Sequence, residues 1–402
     1  MATLSRMRRV GPGSGFWIVA VVFVVTMAYS TVPTPLYPLY EQRDDFPVSL
    51  VTVIYSAFAV GVMLSLYLFG HVSDWLGRRT MLVIAVGISI ASAVMFLLWP
   101  ETAGLIAARA VNGVSIGILS ATATAHLGEL RAIARPQESP VFATSVAGAA
   151  NLGGLALGSL IGGLVAEVLP DPLVLPHVLF LVLLVLGGVA LLIVPETVVR
   201  PAPLPRYRPQ KLSVPRAGRS IFLVAAFGAF AGFAVFGLFS SLIPTFLAGE
   251  FGERDHLLAG VTVFAIFGAS AAGQLALVST RLRTQLTIAV SACAVGLVCV
   301  GIGALLPQIA LFIGGGVIAG LGVGVLFRGA IGTALAIAES GHAGETVALL
   351  FLIAYAGPVI PVLAVGIGLA FAPPLAVLLV FIVLVLAATV SAGLIMRRRA
   401  PV

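Results

Sequence analysis

Apolar stretches of twenty or more residues recur along almost the whole chain, and this repetition constrains the fold more than any single motif. Coiled as a helix at ~1.5 Å per residue, such a stretch crosses the ~30 Å hydrocarbon core of a bilayer. Lipid offers no partner for a backbone N–H or C=O, so a segment of this kind spans as a helix. Twelve spans can be placed, at residues 16–40, 48–70, 80–99, 103–124, 141–168, 173–194, 220–247, 257–277, 286–306, 309–335, 346–371 and 375–396. Several are longer than a perpendicular crossing requires, so tilt or protrusion is expected. Of 402 residues 60% are hydrophobic and 9% charged, with mean hydropathy +1.15. So few charges could not cover the surface of a soluble protein of this size. The fold class expected is therefore an all-α membrane protein.

The start MATLSRMRRV is basic and precedes an apolar run, and Ala28 to Ser30 could pass for a signal-peptide cleavage site. The run is longer than a signal core and eleven more follow, so an uncleaved first span is expected. One connection is long: VRPAPLPRYRPQKLSVPRAGRS, from Val199 to Ser220, is Pro-rich, basic and too polar to bury. It divides the chain into six-span units at 1–198 and 220–402, with 199–219 as a linker. Topology follows from the basic residues. Arg6, Arg8, Arg9, Arg78, Arg79, Arg131, Arg135, Arg200, Arg206, Arg208, Lys211, Arg216, Arg219, Arg281, Arg283 and Arg397 to Arg399 all fall on one side, 18 of 22. The other side holds Arg43 and Arg254 with Glu41, Asp44, Asp45, Glu101, Glu167, Asp171, Glu250, Glu253 and Asp255. This asymmetry predicts a multi-pass protein of the bacterial inner membrane with both termini cytoplasmic. It also accounts for the net charge of +7 as a topological signal beside anionic lipid, so no nucleic-acid partner is expected. Cys293 and Cys299 lie six residues apart in one span, face different directions and cannot bridge. The five His fall at span ends or in loops and form no Cys/His cluster, so no metal and no cofactor is expected.

The charges not needed for this rule carry the functional signal. After the second span comes GHVSDWLGRRT, with Gly70, Asp74, Gly77, Arg78 and Arg79 in fixed spacing. Gly77 permits a tight turn, Asp74 can accept bonds from a helix N-terminus or a basic side chain at the membrane edge, and the two Arg hold the loop inside. This pattern resembles the loop 2–3 signature of the major facilitator superfamily. The resemblance implies two pseudo-symmetric six-helix bundles that rock about a central cavity. It also implies an inner gate in which Asp74 locks the halves while the inside is closed, with a partner near Ser340 to Glu345.

In the fourth span, RAVNG places Arg109 ~10 Å inside the outer end. A charge at that depth pairs, faces a wet cavity or takes part in transport; snorkelling or bonding to neighbouring carbonyls are the alternatives. The stretch is similar to a family motif tied to proton coupling, with Asn112 in place of the usual Gln and Gly113 following. In the fifth span, GLALGSLIGG sets Gly154, Gly158, Ser159, Gly162 and Gly163 at small-residue spacing that packs helices closely. It resembles the helix 5 motif of the family's drug/proton antiporters, with Ser159 where a Pro is usual. PET, Pro195 to Thr197, closes the first half as is frequent in the family. LALVSTRLRTQ after the eighth span reads as a decayed repeat of the Asp74 loop, keeping Arg281 and Arg283 without the acid. Pro33, Pro35 and Pro38 predict a broken outer end of the first span.

Tyr29, Asn151, Gln274 and Tyr355, with Asn112, are the polar residues at mid-span depth, and interhelical bonding competes with a cavity role for each. The Phe227, Phe230, Phe233, Phe236, Phe239 stripe packs or faces lipid, while Phe233 and Phe236 are candidates for the cavity wall. Arg328 either snorkels or makes a gating contact. With no nucleotide motif, paired acids or activated nucleophile in the spans, an ATP-driven pump or an enzyme is not expected. The expected function is secondary active transport by a monomer with a small-molecule substrate and protons as partners, namely efflux of small hydrophobic neutral or anionic compounds. Uptake of a small organic acid held by Arg109 is the alternative.

Overall fold

A computed structural model describes residues 9–339 and 342–399. Arg6 and Arg8 of the basic start, and Ser340 at the expected latch partner, lie outside the described residues. The first bundle begins with α1 (Pro12–Tyr29) and α2 (Tyr37–Asp44), joined through a 3-10 turn at Thr34–Leu36. It continues with α3 (Val48–Phe69), the short α4 (Ser73–Leu76), α5 (Arg78–Leu98), α6 (Thr102–Ala134), α7 (Pro140–Val168) and α8 (Leu175–Leu191). The second comprises α9 (Arg219–Glu250), α10 (His256–Ala276), α11 (Leu282–Leu305), α12 (Ile309–Ile337), α13 (Ala343–Ala356), α14 (Ile360–Gly368) and α15 (Pro374–Arg399). Each bundle has its own core, around Phe16, Phe23 and Phe180 in the first and Val235, Phe239 and Phe312 in the second.

Among the described residues 11 helical stretches are long and apolar enough to cross a membrane. The one remaining expected span, the sixth at 173–194, is helical only over the 17 residues of α8, because the chain leaves in a turn at Leu192–Val194 ahead of Pro195. At ~1.5 Å per residue α8 still covers most of the hydrocarbon thickness.

One boundary follows the expected break and two differ from expectation, each for an identifiable reason. The first span breaks after Tyr29, as its prolines predict. The eleventh also breaks, between Ala356 and Ile360, where Pro358 and Pro361 supply no N–H to the helix ladder. The fourth does not stop at residue 124. α6 runs on to Ala134, since no proline occurs before Pro136 and residues 125–134 are mostly strong helix formers. His126 and Glu129, expected at or beyond a span end, therefore lie inside a helix.

The Arg-rich connections share one face, where Arg200 reaches Thr80 Oγ1 (2.8 Å) and Arg399 reaches Ser220 Oγ (2.8 Å). The linker crosses this basic face from bundle to bundle. Tyr207 donates to Leu68 O (3.1 Å), Gln210 N donates to Tyr67 O (2.8 Å), and Ser213 Oγ donates to Glu345 (2.6 Å). At the opposite, acidic face the bundles touch directly through α7 and α10.

Candidate functional site

Between the bundles lies a cavity of about 720 Å³. Its far end is formed by Ser30 and Arg109, and it extends to Thr280, Leu282 and Leu335 at the basic-face ends of the C-terminal helices. The molecule is thus open toward the basic face and shut at the acidic one. Asn151, Phe233, Phe236, Gln274 and Tyr355 line the cavity. Tyr29 does not: it is buried inside the first bundle, with its hydroxyl 3.2 Å from His177 Nδ1. The Phe stripe of α9 winds as its three-residue spacing requires. Phe227 is half exposed on the outside, Phe233 and Phe236 face the cavity, and Phe239 is buried against Phe312.

Arg109 is 1% exposed. One Nη1–H donates to Ser30 O (2.6 Å), a carbonyl released by the break after α1, and Nε has no partner. The guanidinium lies over the rings of Phe58 (4.5 Å) and Tyr55 (5.6 Å), which adds cation–π attraction. No Asp or Glu is among the described residues lining the cavity, whose only charged groups are Arg109 and Arg328. Arg328 donates over 3.3 and 3.4 Å to Gln274 O and Val278 O. Asn112 and Gly113 do not join Arg109 in the cavity lining. Asn112 is 1% exposed with both amide atoms unpartnered, and Gly113 lets the Phe58 carbonyl of α3 approach the α6 backbone.

The loop after α3 is a compact electrostatic knot within the first bundle. Gly77 has φ +108°, a conformation favouring glycine, and a Cβ there would meet the Glu196 carboxylate at 2.5 Å. Glu196 of the PET segment accepts from Arg78 N (2.7 Å). The Arg78 guanidinium pairs with Asp74 (2.5 Å) and Glu129 (2.9 Å) and donates to Ser73 Oγ (2.7 Å). Arg79 donates to Leu192 O and Val194 O, both at 3.3 Å. Asp74 pairs with Arg78 and remains 59% exposed. On the side where its partner was expected, Glu345 is engaged by Ser213 of the linker. Gly70 lies just beyond α3, its N–H donating to Leu66 O. Nearby, Arg131 holds the Glu138 carboxyl below the usual carboxylate range through a direct hydrogen bond and its charge.

The small residues of α7 separate into two ridges. Gly154, Gly158 and Gly162 take the backbone of α1 and the segment after it, next to Val24, Ala28 and Val32. Gly163 and Ser159 instead face α10 of the other bundle. A Cβ on Gly163 would lie 3.2 Å from Gly260 Cα, and one on Gly260 would lie 2.5 Å from Ser159 O. Glu167 accepts from His256 N and contacts His256 Nδ1, each at 3.1 Å, completing this seal.

A family model described as Major Facilitator Superfamily matches residues 16–361. The chain belongs to the major facilitator superfamily. No curated protein sequence matches it. Among solved structures, the human organic anion transporter MFSD10 (TETRAN) is similar at TM-score 0.67 and 19% identity, covering 94% of this chain and 98% of that one. The nucleoside transporter NupG, crystallised as a point mutant, is similar at TM-score 0.71 and 10% identity, covering 95% of this chain and 98% of that one. At such identities the likeness concerns the fold.

Membership in the superfamily makes this chain a multi-pass secondary transporter of a small molecule. Three features of this superfamily member were missed from sequence. His177, in the first turn of α8, is fully buried between Tyr29 and Tyr40 (2.9 Å) and stacks on Phe96 at 4.5 Å. Glu129 and Glu196 join Arg78 in the loop after α3 from 51 and 118 residues away. In the turn after α10, Gln285 donates amide hydrogen bonds to Leu277 O and Thr280 O, both at 2.9 Å. No local pattern announces any of these.

Proposed function

We propose that this transporter exports small hydrophobic compounds, neutral or anionic, from the cytoplasm across a bacterial inner membrane, working as a monomer by alternating access with proton antiport. The observation that carries the proposal is the cavity: open toward the basic face, walled by aromatic rings, and holding cations but no carboxylate among its described lining residues. A lipophilic cation would find no buried anion there. The structural likeness to MFSD10, an organic anion transporter, supports the anionic side of this class. By the charge rule the basic face is cytoplasmic and both termini lie there. Residues 1–198 and 220–402 are then the moving units and 199–219 their tether. Asp74 acts as the inner latch, resting on Arg78 while the inside is open. Arg109, with Asn112 and Gly113 behind it, couples proton and substrate at the apex. The α7 glycines are the sliding surface.

Uptake of a small organic acid is the second reading, favoured by the unpaired Arg109 Nε beside a polar carbonyl. Inverted and right-side-out vesicles bearing the purified protein separate the two. Export predicts substrate accumulation in inverted vesicles that collapses with the pH gradient. Accumulation only in right-side-out vesicles supports uptake, and no flux in either orientation overturns transport itself.

A further inference from the structure

We infer that the occupant of the cavity is an amphipathic organic anion, whose acidic group serves as the missing counter-ion of Arg109 and whose apolar body lies on the ring wall of the second bundle. The inference rests on the transport reading and narrows its substrate class from neutral or anionic to anionic.

A guanidinium is a fork of five N–H donors suited to a planar carboxylate or a sulfonate. At Arg109 one donor meets Ser30 O, Nε meets nothing, and the side chain is 1% exposed at the closed end of the cavity. A charge taken out of water is stable only when paired, yet no Asp or Glu is among the described residues lining the cavity. The Phe58 and Tyr55 rings flank the cation without neutralising it. An anionic ligand supplies what the protein leaves out. A neutral ligand leaves the guanidinium unpaired, and a cation is repelled.

The rest of the wall specifies the ligand's body. Phe233 of α9 is the centre of a continuous ring surface, 4.7 Å from Phe327, 5.3 Å from Tyr355 and 5.9 Å from Phe236. Phe236 in turn stacks on Phe267 at 4.8 Å. All five rings belong to the second bundle and line the cavity, whereas Arg109 belongs to the first. One ligand touching both therefore bridges the two units that must move together. Arg328 lies nearer the basic face, roughly 15–20 Å from Arg109 along the helix axes at the usual rise. Its long bonds to two carbonyls leave its charge uncompensated. The two cations make a positive entrance and a positive apex, a gradient that draws anions inward.

Three probes with one body test this: 2-naphthylacetate, ionised at neutral pH, its neutral amide, and 2-naphthylethylamine as the cation. Binding to the purified full-length protein is read by fluorescence, and flux is read in vesicles. The acid is expected to bind about tenfold or more tighter than the amide, and the amine weakest. Arg109→Gln brings the acid-to-amide ratio to about one, and Phe233→Ala weakens both alike. Should Arg109→Gln fail to fold, Arg109→Lys and the wild-type ratio decide, the lysine variant retaining part of the preference. Amide bound as tightly as acid, or an acid preference that survives Arg109→Gln, overturns the inference. Flux of the amide without flux of the acid also overturns it while leaving transport intact. Acid selectivity that depends on Arg109 supports the inference, and if it comes without flux of any probe, it is the transport reading that fails.

Discussion

The two ends of the cleft between the bundles are closed and open by different chemistry. At the acidic face the bundles meet through small residues, Ser159 and Gly163 against Gly260, with the polar pair Glu167 and His256 at the rim. At the basic face charges are abundant, yet the pairs formed by Arg78 with Asp74 and Glu129, and by Arg131 with Glu138, stay within the first bundle. The closed end is held by shape, and the open end holds its charges in reserve. Close backbone approach is lost steeply with separation, so the steric seal is either made or broken. Ion pairs at the water edge can exchange partners at little cost, which suits a latch that must find a new partner when the inside closes. The turn after α10 in the second bundle sharpens the contrast. It is tied by the neutral Gln285, so switchable charge is concentrated in one half.

The largest effect expected is therefore steric. Gly163→Leu places a side chain where even a Cβ lies 2.5 Å from His256 O and 3.2 Å from Gly260 Cα. Overpacking of this kind costs ~1–3 kcal/mol, felt only in the state with the acidic face shut. Transport should fall by about tenfold or more, with the folded yield preserved because the contact is between bundles. Thr52, buried near the start of α3 where it packs on Gly366 of α14, should as Thr52→Cys become labelled from the acidic face by a membrane-impermeant maleimide. Unchanged labelling, with activity intact, would mean the glycines do not make the seal.

What could be foreseen follows from what is local. The apolar runs, the polar linker, the proline break after Tyr29 and the charge knot after α3 each depend on residues close in sequence. Helix azimuth is not local in this sense. Spans that are apolar all round offer no periodic signal for the side that meets the cavity. Tyr29 and Asn112 were therefore indistinguishable from Asn151 and Gln274 until the packing separated them. The partners of Arg78 were hidden for another reason: Glu129 became a partner only because α6 continues past residue 124, and Glu196 because the chain returns after α8. The Asp74 latch, the Arg109 site and the domain boundaries remain proposals that these contacts make testable.

Asp74→Asn probes the reserve of charge. Asp74 is 59% exposed and Arg78 keeps Glu129, so stability should change by no more than ~1 kcal/mol. If Asp74 is the latch, transport should nevertheless drop about tenfold, equivalent to ~1.4 kcal/mol on the basic-face-closed state alone. Thermal unfolding and vesicle flux measured on the same preparation give the two numbers. A melting temperature that falls in step with activity would make Asp74 a structural residue of the knot.

The smallest effect should come from Glu167→Gln at the other end. The pair is part-exposed, 23% for His256 and 41% for Glu167, and with the imidazole protonated such pairs contribute ~0.2–1 kcal/mol and weaken with salt. A glutamine oxygen can still accept from His256 N, so the rim stays tied and only the charge is lost. Flux should change by less than about fivefold at low salt, and the difference should vanish at high salt. Were Glu167→Gln to disable transport as thoroughly as Gly163→Leu, and in high salt too, the acidic-face seal would be held by that one polar pair. Both gates would then be latches of the same electrostatic kind, and the glycines between them mere spacers.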